Sequence, residues 1–166
     1  MTHQFDDQLG KLMDVLGREL AGLAAAVVEE GAIAYEGYFG RRYIDGDERA
    51  ADLPVTADTM FRIASISKLV ATLGLMQLVE AGAADLDGDV SDYLPFRLRN
   101  PHFPHEKITL RQLLSHTSSI RDATAYTIPI PHTLEAFFVA GSPYFEEGAH
   151  WDNNHRPGAF FCYCNL

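Results

Sequence analysis

Two cysteines, one tryptophan and three lysines are all that this 166-residue chain holds of those residue types. Cys162 and Cys164 stand two positions apart, a spacing that would strain a disulfide, and they lack the further partners of a structural zinc site. They are expected to stay reduced. No run reaches the roughly 18–20 apolar residues that a membrane span requires. The opening Met1-Thr2-His3-Gln4-Phe5-Asp6-Asp7 has neither the basic head nor the apolar centre of a secretory signal. Together these absences lead to the expectation of a cytoplasmic protein without a membrane partner. Basic charge is scarce as well: 13 Lys and Arg stand against 23 Asp and Glu, for a net charge of −10. Such a chain has no electrostatic footprint for nucleic acid or for anionic lipid. Its acidic residues are scattered, as on a solvated surface.

What is present is globular. Hydrophobic residues make up 47% and charged residues 22%, and the length suits one domain or part of one. Phe5, Leu9, Leu12, Met13, Leu16 and Leu20 recur at helical spacing and predict an opening amphipathic helix. Residues 21–29 and 32–39 are β-compatible runs joined at Glu30-Gly31, which reads as an antiparallel hairpin. Residues 40–59 show no period and read as loop. Residues 65–81 give the clearest helix, with Leu69, Val70, Leu73, Leu75, Met76, Leu78 and Val79 around most of its circumference and Gly82 at the C-terminal cap. A helix apolar nearly all round is expected in a core. Residues 84–95 form a turn-rich connection, Thr109 caps a short helix through Ser115, and a further helix is expected over 133–140.

Chemistry enters at Ser65-Ile66-Ser67-Lys68. A spacing of three places the Ser65 and Lys68 side chains on one helix face. The helix N-terminus supplies N–H donors and the positive end of the dipole, which favour negative charge at Ser65. A partly desolvated lysine near other positive charge can lose its proton near neutral pH and serve as a base. Taken alone the pair is ordinary, because a serine cap with a lysine one turn on is common. Neither Lys11 nor Lys107 has a serine at that offset.

The surrounding residues sharpen the signal. Phe61-Arg62-Ile63-Ala64-Ser65-Ile66-Ser67-Lys68-Leu69 resembles the start of the active-site helix in the serine β-lactamase and penicillin-binding-protein superfamily. Leu86-Asp87-Gly88-Asp89-Val90-Ser91-Asp92-Tyr93-Leu94-Pro95 and Ile108-Thr109-Leu110-Arg111-Gln112-Leu113-Leu114-Ser115-His116-Thr117-Ser118 are similar to the segments that follow there, in the same order. Tyr163-Cys164-Asn165 resembles the Tyr-x-Asn motif of the class C-like and esterase-like branch. It is preceded by Pro157-Gly158-Ala159-Phe160-Phe161, similar to that motif's lead-in. No other tyrosine of the seven has asparagine two positions on. The resemblance covers most of the chain after about Gly22.

The resemblance implies an α/β (α+β) fold, an antiparallel sheet flanked by helices with a mostly helical subdomain. Residues 1–166 would be the N-terminal part of a single domain, truncated before the C-terminal strands, because the family's Lys- or His-x-Gly strand motif is absent. It implies a serine hydrolase that cleaves a small ester or amide, a β-lactam or a D-amino-acid peptide through an acyl-enzyme on Ser65. Lys68 and Tyr163 would handle protons, and Asn165 would hold Lys68 and the substrate carbonyl. A phenol can act as base only if positive charge lowers its pKa, and Lys68 is the candidate. No cofactor or metal is required. The expected partner is the C-terminal half of the domain or another copy of the chain. The alternative of a different class is a non-catalytic relative or inactive fragment, acting as a binding or sensor module.

Other candidates carry less. His116 lacks the Gly-x-Ser-x-Gly elbow of a Ser-His-Asp hydrolase, and the resemblance makes it a structural hydrogen-bonder at a helix end. His102 and His105, and His150 and His155, lie in loops without a third metal ligand and read as surface residues. Asp85-Leu86-Asp87-Gly88-Asp89 has its glycine in the wrong place for a calcium loop and no closing glutamate.

Overall fold

The computed structural model of the protein describes residues 2–16, 20–44, 52–124 and 127–166. The chain divides into two units, Met1–Ile63 and Ala64–Leu166.

The first unit is a helix with a small antiparallel sheet. Helix α1 (Thr2–Leu16) is followed by β1 (Gly22–Glu29), β2 (Ala32–Tyr43) and β3 (Leu53–Pro54), in the sheet order β1-β2-β3. Register runs from Gly22 opposite Gly40 to Glu29 opposite Ala32, with a bulge at Val27 and Val28. The two-residue turn has positive φ at both Glu30 and Gly31, as a tight hairpin of right-twisted strands requires. Tyr35, buried on β2, fixes α1 to the sheet: its ring lies 5.1 Å from that of Phe5, and its hydroxyl donates to Asp6 Oδ1 at 2.7 Å. The expected hairpin is present, but β2 runs four residues beyond its expected end. Loop was expected from residue 40. Instead Arg41 and Tyr43 pair with Pro54 and Leu53, because a strand edge left open by β1 can still satisfy its backbone on the other side. Leu20 lies outside α1, and residues 17–19 and 45–51 lie outside the described residues.

The second unit is built from helices and turns, with only isolated strand bridges among the described residues. Helix α2 (Ile66–Glu80) ends as its sequence predicts: Gly82 takes φ +69°, its N–H bonds to Val79 O, and the N–H of Ala83 reaches back to Leu78 O. Helix α3 (Leu110–Leu114) opens with a reciprocal cap between Thr109 and Gln112. The helix expected over 133–140 shrinks to α4 (Glu135–Phe138), a single turn. The core gathers Val90, Leu98, Ile108, Leu110, Ile120, Trp151 and Cys164. The acidic run 85–89 pairs with cations: Asp87 takes a bidentate bond from Arg111 at 2.7 Å, and Asp89 one from Arg99. The Arg99 guanidinium pulls the Asp89 carboxyl from an ordinary 3.8 down to about 2, against the opposing effect of burial.

The burial expected of α2 is overturned. None of the residues of α2 is buried, and Leu69, Val70 and Leu73 are about 60% exposed, at 61%, 61% and 60%. The all-round apolar pattern asks for cover on several sides, and the described chain leaves those sides open. Among the described residues no helix is long and apolar enough to cross a membrane.

Candidate active site

All four residues singled out by the sequence lie in the second unit, and hydrogen bonds join them in the order Tyr163, Ser65, Lys68, Asn165. Ala64 enters the turn before α2 with φ +43°, a left-handed value that an alanine adopts only at a cost of about 1–2 kcal/mol. That bend delivers Ser65 to the N-terminal end of the helix as its first flanking residue. Its side chain makes no capping bond, so the hydroxyl is directed elsewhere. Lys68 follows one turn on, and its N–H bonds to Ser65 O at 3.0 Å.

Tyr163 and Asn165 reach the same place on a stretch with no regular secondary structure, and side chains and backbone groups fix that stretch at four points. Gly158, at φ +87°, donates its N–H to Thr117 O at 2.7 Å. A Cβ there would stand 3.1 Å from Gln112 Nε2 at a backbone angle other residues rarely adopt. The N–H of Cys162 bonds to His116 O at 2.8 Å, that of Cys164 to His116 Nδ1 at 3.4 Å, and that of Asn165 to Asp122 Oδ1 at 2.8 Å. The His116 ring also lies 4.6 Å from that of Tyr163, tilted 37° to it. It sits just past α3 at φ +54°, which aims both its carbonyl and its ring at the Tyr-x-Asn segment.

The resulting contacts are short. Ser65 Oγ lies 2.6 Å from Tyr163 Oη. Lys68 Nζ donates to Ser65 Oγ at 3.3 Å and to Asn165 Oδ1 at 3.0 Å, and it stands 5.1 Å from the centre of the Tyr163 ring. The Ser65 hydrogen bond, followed by the Lys68 ammonium, holds the Tyr163 phenol below the usual tyrosine value. Partial desolvation and the charge of Asp122 oppose that shift without reversing it. The arrangement can relay a proton: a hydroxyl, an acidified phenol and an ammonium lie in mutual reach at a helix N-terminus. An apolar cleft of about 440 Å³ opens beside Lys68, with Leu75, Leu113, Phe138, Cys164 and Leu166 in its walls.

Asp122 was missed at the level of sequence. It lies in the loop after α3, four positions past the segment that ends at Ser118, and a lone aspartate in a loop carries no pattern. Its carboxylate accepts from the Asn165 N–H, from Asn165 Nδ2 at 2.7 Å and from the Cys164 thiol at 3.2 Å. Burial pushes the Asp122 carboxyl up, but those hydrogen bonds outweigh it and hold the group below the usual carboxylate range. Burial pushes the Cys164 thiol up to about 12, so it remains a donor.

The histidines do not join the site as bases or ligands. His150, read as a surface residue, is instead fully buried, its ring 4.8 Å from that of Phe137. His155 pairs with Asp152 at 2.9 Å and stacks on Phe160. His102 and His105 are exposed. Among the described residues, no three His, Cys, Asp or Glu side chains are grouped so as to hold a metal ion.

Comparison with known proteins identifies the family and the fold. A sequence profile of the family described as Beta-lactamase matches residues 5–166. Esterase EstB of Burkholderia gladioli is 36% identical over 104 residues, which are 62% of this chain and 25% of that protein. An octameric penicillin-binding protein homologue from Pyrococcus abyssi superposes with a TM-score of 0.71 at 25% identity, over 98% of this chain and 36% of that one. A class C beta-lactamase gives a TM-score of 0.70 at 24% identity, over 96% of this chain and 39% of its own. The chain therefore spans well under half the length of the relatives it matches.

Proposed function

The chain belongs to the beta-lactamase family, with its antiparallel sheet and helices in the β-lactamase/transpeptidase-like fold, and on that premise we propose that it forms part of a serine hydrolase acting on a small ester or amide. The observation that carries the proposal is the 2.6 Å contact between Ser65 Oγ and Tyr163 Oη, with Lys68 Nζ within 3.3 Å of the serine. Likeness to an esterase, and Tyr163 in place of the serine that other branches use, favour an ester or amide of modest size as substrate.

In this reading Tyr163, as a phenolate steadied by the Lys68 ammonium, takes the proton of Ser65 as Oγ attacks the substrate carbonyl carbon and so becomes a neutral phenol. Negative charge gathers on the carbonyl oxygen, which faces the N–H groups at the start of α2. Collapse of the tetrahedral intermediate breaks the bond to the leaving group, and Tyr163 returns its proton there. The acyl group stays on Ser65 until water, deprotonated by Tyr163 in its turn, releases it. Asn165 holds Lys68 through Oδ1. No step calls on a metal or an organic cofactor.

The open faces of α2 and the apolar cleft beside Lys68 support a second element of the proposal. Residues 1–166 act together with further polypeptide, either the rest of a single domain or another copy, and alone they have little activity. The rest of a domain would also bring a second oxyanion donor of the Lys- or His-x-Gly kind, which another copy of residues 1–166 would not. A purely binding role, in which a partner covers the faces of α2 left open among the described residues and Ser65 stays unreactive, is the competing reading.

The two readings part on covalent labelling. A fluorophosphonate probe applied to the whole protein is expected to modify Ser65, and Ser65→Ala to abolish labelling with the fold intact. Ser67 points about 200° away around the helix, so Ser67→Ala is expected to label within a few-fold of the parent. Equal loss in both variants would mean the nucleophile has been misassigned, and no labelling at all would favour the binding module.

A further inference from the structure

The side-chain amide of Asn165 faces two groups of opposite charge. Its oxygen accepts from the Lys68 ammonium at 3.0 Å and its nitrogen donates to Asp122 Oδ2 at 2.7 Å. Rotating the amide by half a turn would set an NH2 group against an ammonium, two donors face to face. It would also set a carbonyl oxygen against a carboxylate, two acceptors face to face. Only one orientation is compatible with both neighbours, and Asp122 is what excludes the other from the far side. The same carboxylate accepts the Asn165 backbone N–H at 2.8 Å, so side chain and main chain are fixed from one point. No Lys, Arg or His forms an ion pair with Asp122 among the described residues. Its acceptor capacity goes to Asn165 and the Cys164 thiol instead.

We propose that Asp122 is a positioning residue for acyl transfer: it locks the Asn165 amide with its oxygen toward Lys68, and through that contact holds the Lys68 ammonium at Ser65. The proposal rests on the reading of Ser65 as nucleophile. A carboxylate is suited to the task because it accepts and never donates at neutral pH. An asparagine of the same size could present a donor to Asn165 Nδ2 and let the amide turn. Proximity in sequence plays no part, since the two residues are 43 positions apart.

Asp122→Asn, which keeps shape and removes the charge, is the informative variant. In the whole protein it is expected to slow fluorophosphonate labelling of Ser65 about 10- to 100-fold, the scale of one charge-assisted hydrogen bond. In an Asn165→Ala background it should add nothing further, because its effect passes through Asn165. A merely structural aspartate would instead give losses that add in full, and that result overturns the proposal, as does labelling of Asp122→Asn at the parent rate. Both leave the Ser65 reading standing. Failure of the parent to label overturns the Ser65 reading, and the positioning is then decided by NMR on the same proteins. The proton of Asn165 Nδ2 that faces Asp122 should be shifted well downfield of its geminal partner in the parent, with that separation collapsing in Asp122→Asn. An unchanged separation overturns the positioning role.

Discussion

Replacing Tyr163 by phenylalanine removes one oxygen atom, and the structure separates its effect on rate from its effect on stability. The ring remains, still 4.6 Å from His116, and the backbone bonds at Cys162, Cys164 and Asn165 are untouched. The lost interaction is the 2.6 Å contact with Ser65 at an exposed residue, where water competes for both partners and stability changes little. The cost to catalysis is larger. If the phenol is the general base and acid for both halves of acyl transfer, its removal slows acylation about 10²–10⁴-fold, or roughly 3–5 kcal/mol of barrier. The pH profile adds a second signature. The phenol's pKa lies below the ordinary 10.0, because of Ser65 and Lys68. The basic form is therefore lost as pH falls through that lowered value, and the rate should fall with it. Tyr163→Phe should lack that limb. Pre-steady-state release of p-nitrophenol from p-nitrophenyl acetate, followed from about pH 6 to pH 10 in the whole protein, measures both. Acylation within about three-fold of the parent, with the limb retained, would refute the role given to Tyr163 and leave Lys68 as the sole base.

Two further predictions concern the second unit and the chain as a whole. The Asp89 carboxyl is depressed from 3.8 to about 2 by Arg99, so its stabilisation is complete above about pH 4 and fades as pH falls from there through about 2; Asp89→Asn should lower the parent's denaturation midpoint near neutral pH and bring the two proteins together near pH 2, and a constant gap across that range would count against the pair. Residues 1–166 expressed alone should bind a hydrophobic dye and sediment above monomer mass, because α2 shows Leu69, Val70 and Leu73 to solvent, each forgoing about 1–2 kcal/mol of burial; a dye-silent, monomeric and active chain would contradict the need for cover.

The elements that the sequence made legible are those set by local chemistry. The Glu30-Gly31 turn, the Gly82 stop and the Thr109 cap depend on residues within a few positions of each other, and all three are where pattern reading placed them. The long β2 was misjudged because Gly40, Arg41 and Arg42 carry no alternation, and pairing across the sheet outweighed weak propensity. The helix expected over 133–140 was shortened because Val139 leaves the helical region at ψ +126°. Ser65, Lys68, Tyr163 and Asn165 could be read from motifs, but not their mutual distances. Asp122 could not be read at all, since its role depends on a contact spanning 43 residues.

The same helix that offers Ser65 and Lys68 has no buried residue. Tyr163 and Asn165 are held by bonds to His116 and Asp122, and their lead-in by a bond to Thr117, so that side of the site is anchored in a packed core. Ser65 and Lys68 are joined to it by side-chain bonds of 2.6 to 3.3 Å, and α2, which has no buried residue, packs the half-buried Leu75 against that core. Catalysis by positioned groups tolerates displacements of less than about 1 Å, and exposed side-chain bonds hold a helix less firmly than apolar packing does. Cover over Leu69, Val70 and Leu73 would therefore do more than solubilise a surface. By restricting α2 it would fix the distance from Ser65 to Tyr163, which makes packing far from the reacting atoms a determinant of rate. Substitutions at those three positions in the whole protein should accordingly lower kcat more than they raise KM, and an effect confined to stability would show that the anchored loop alone sets the geometry.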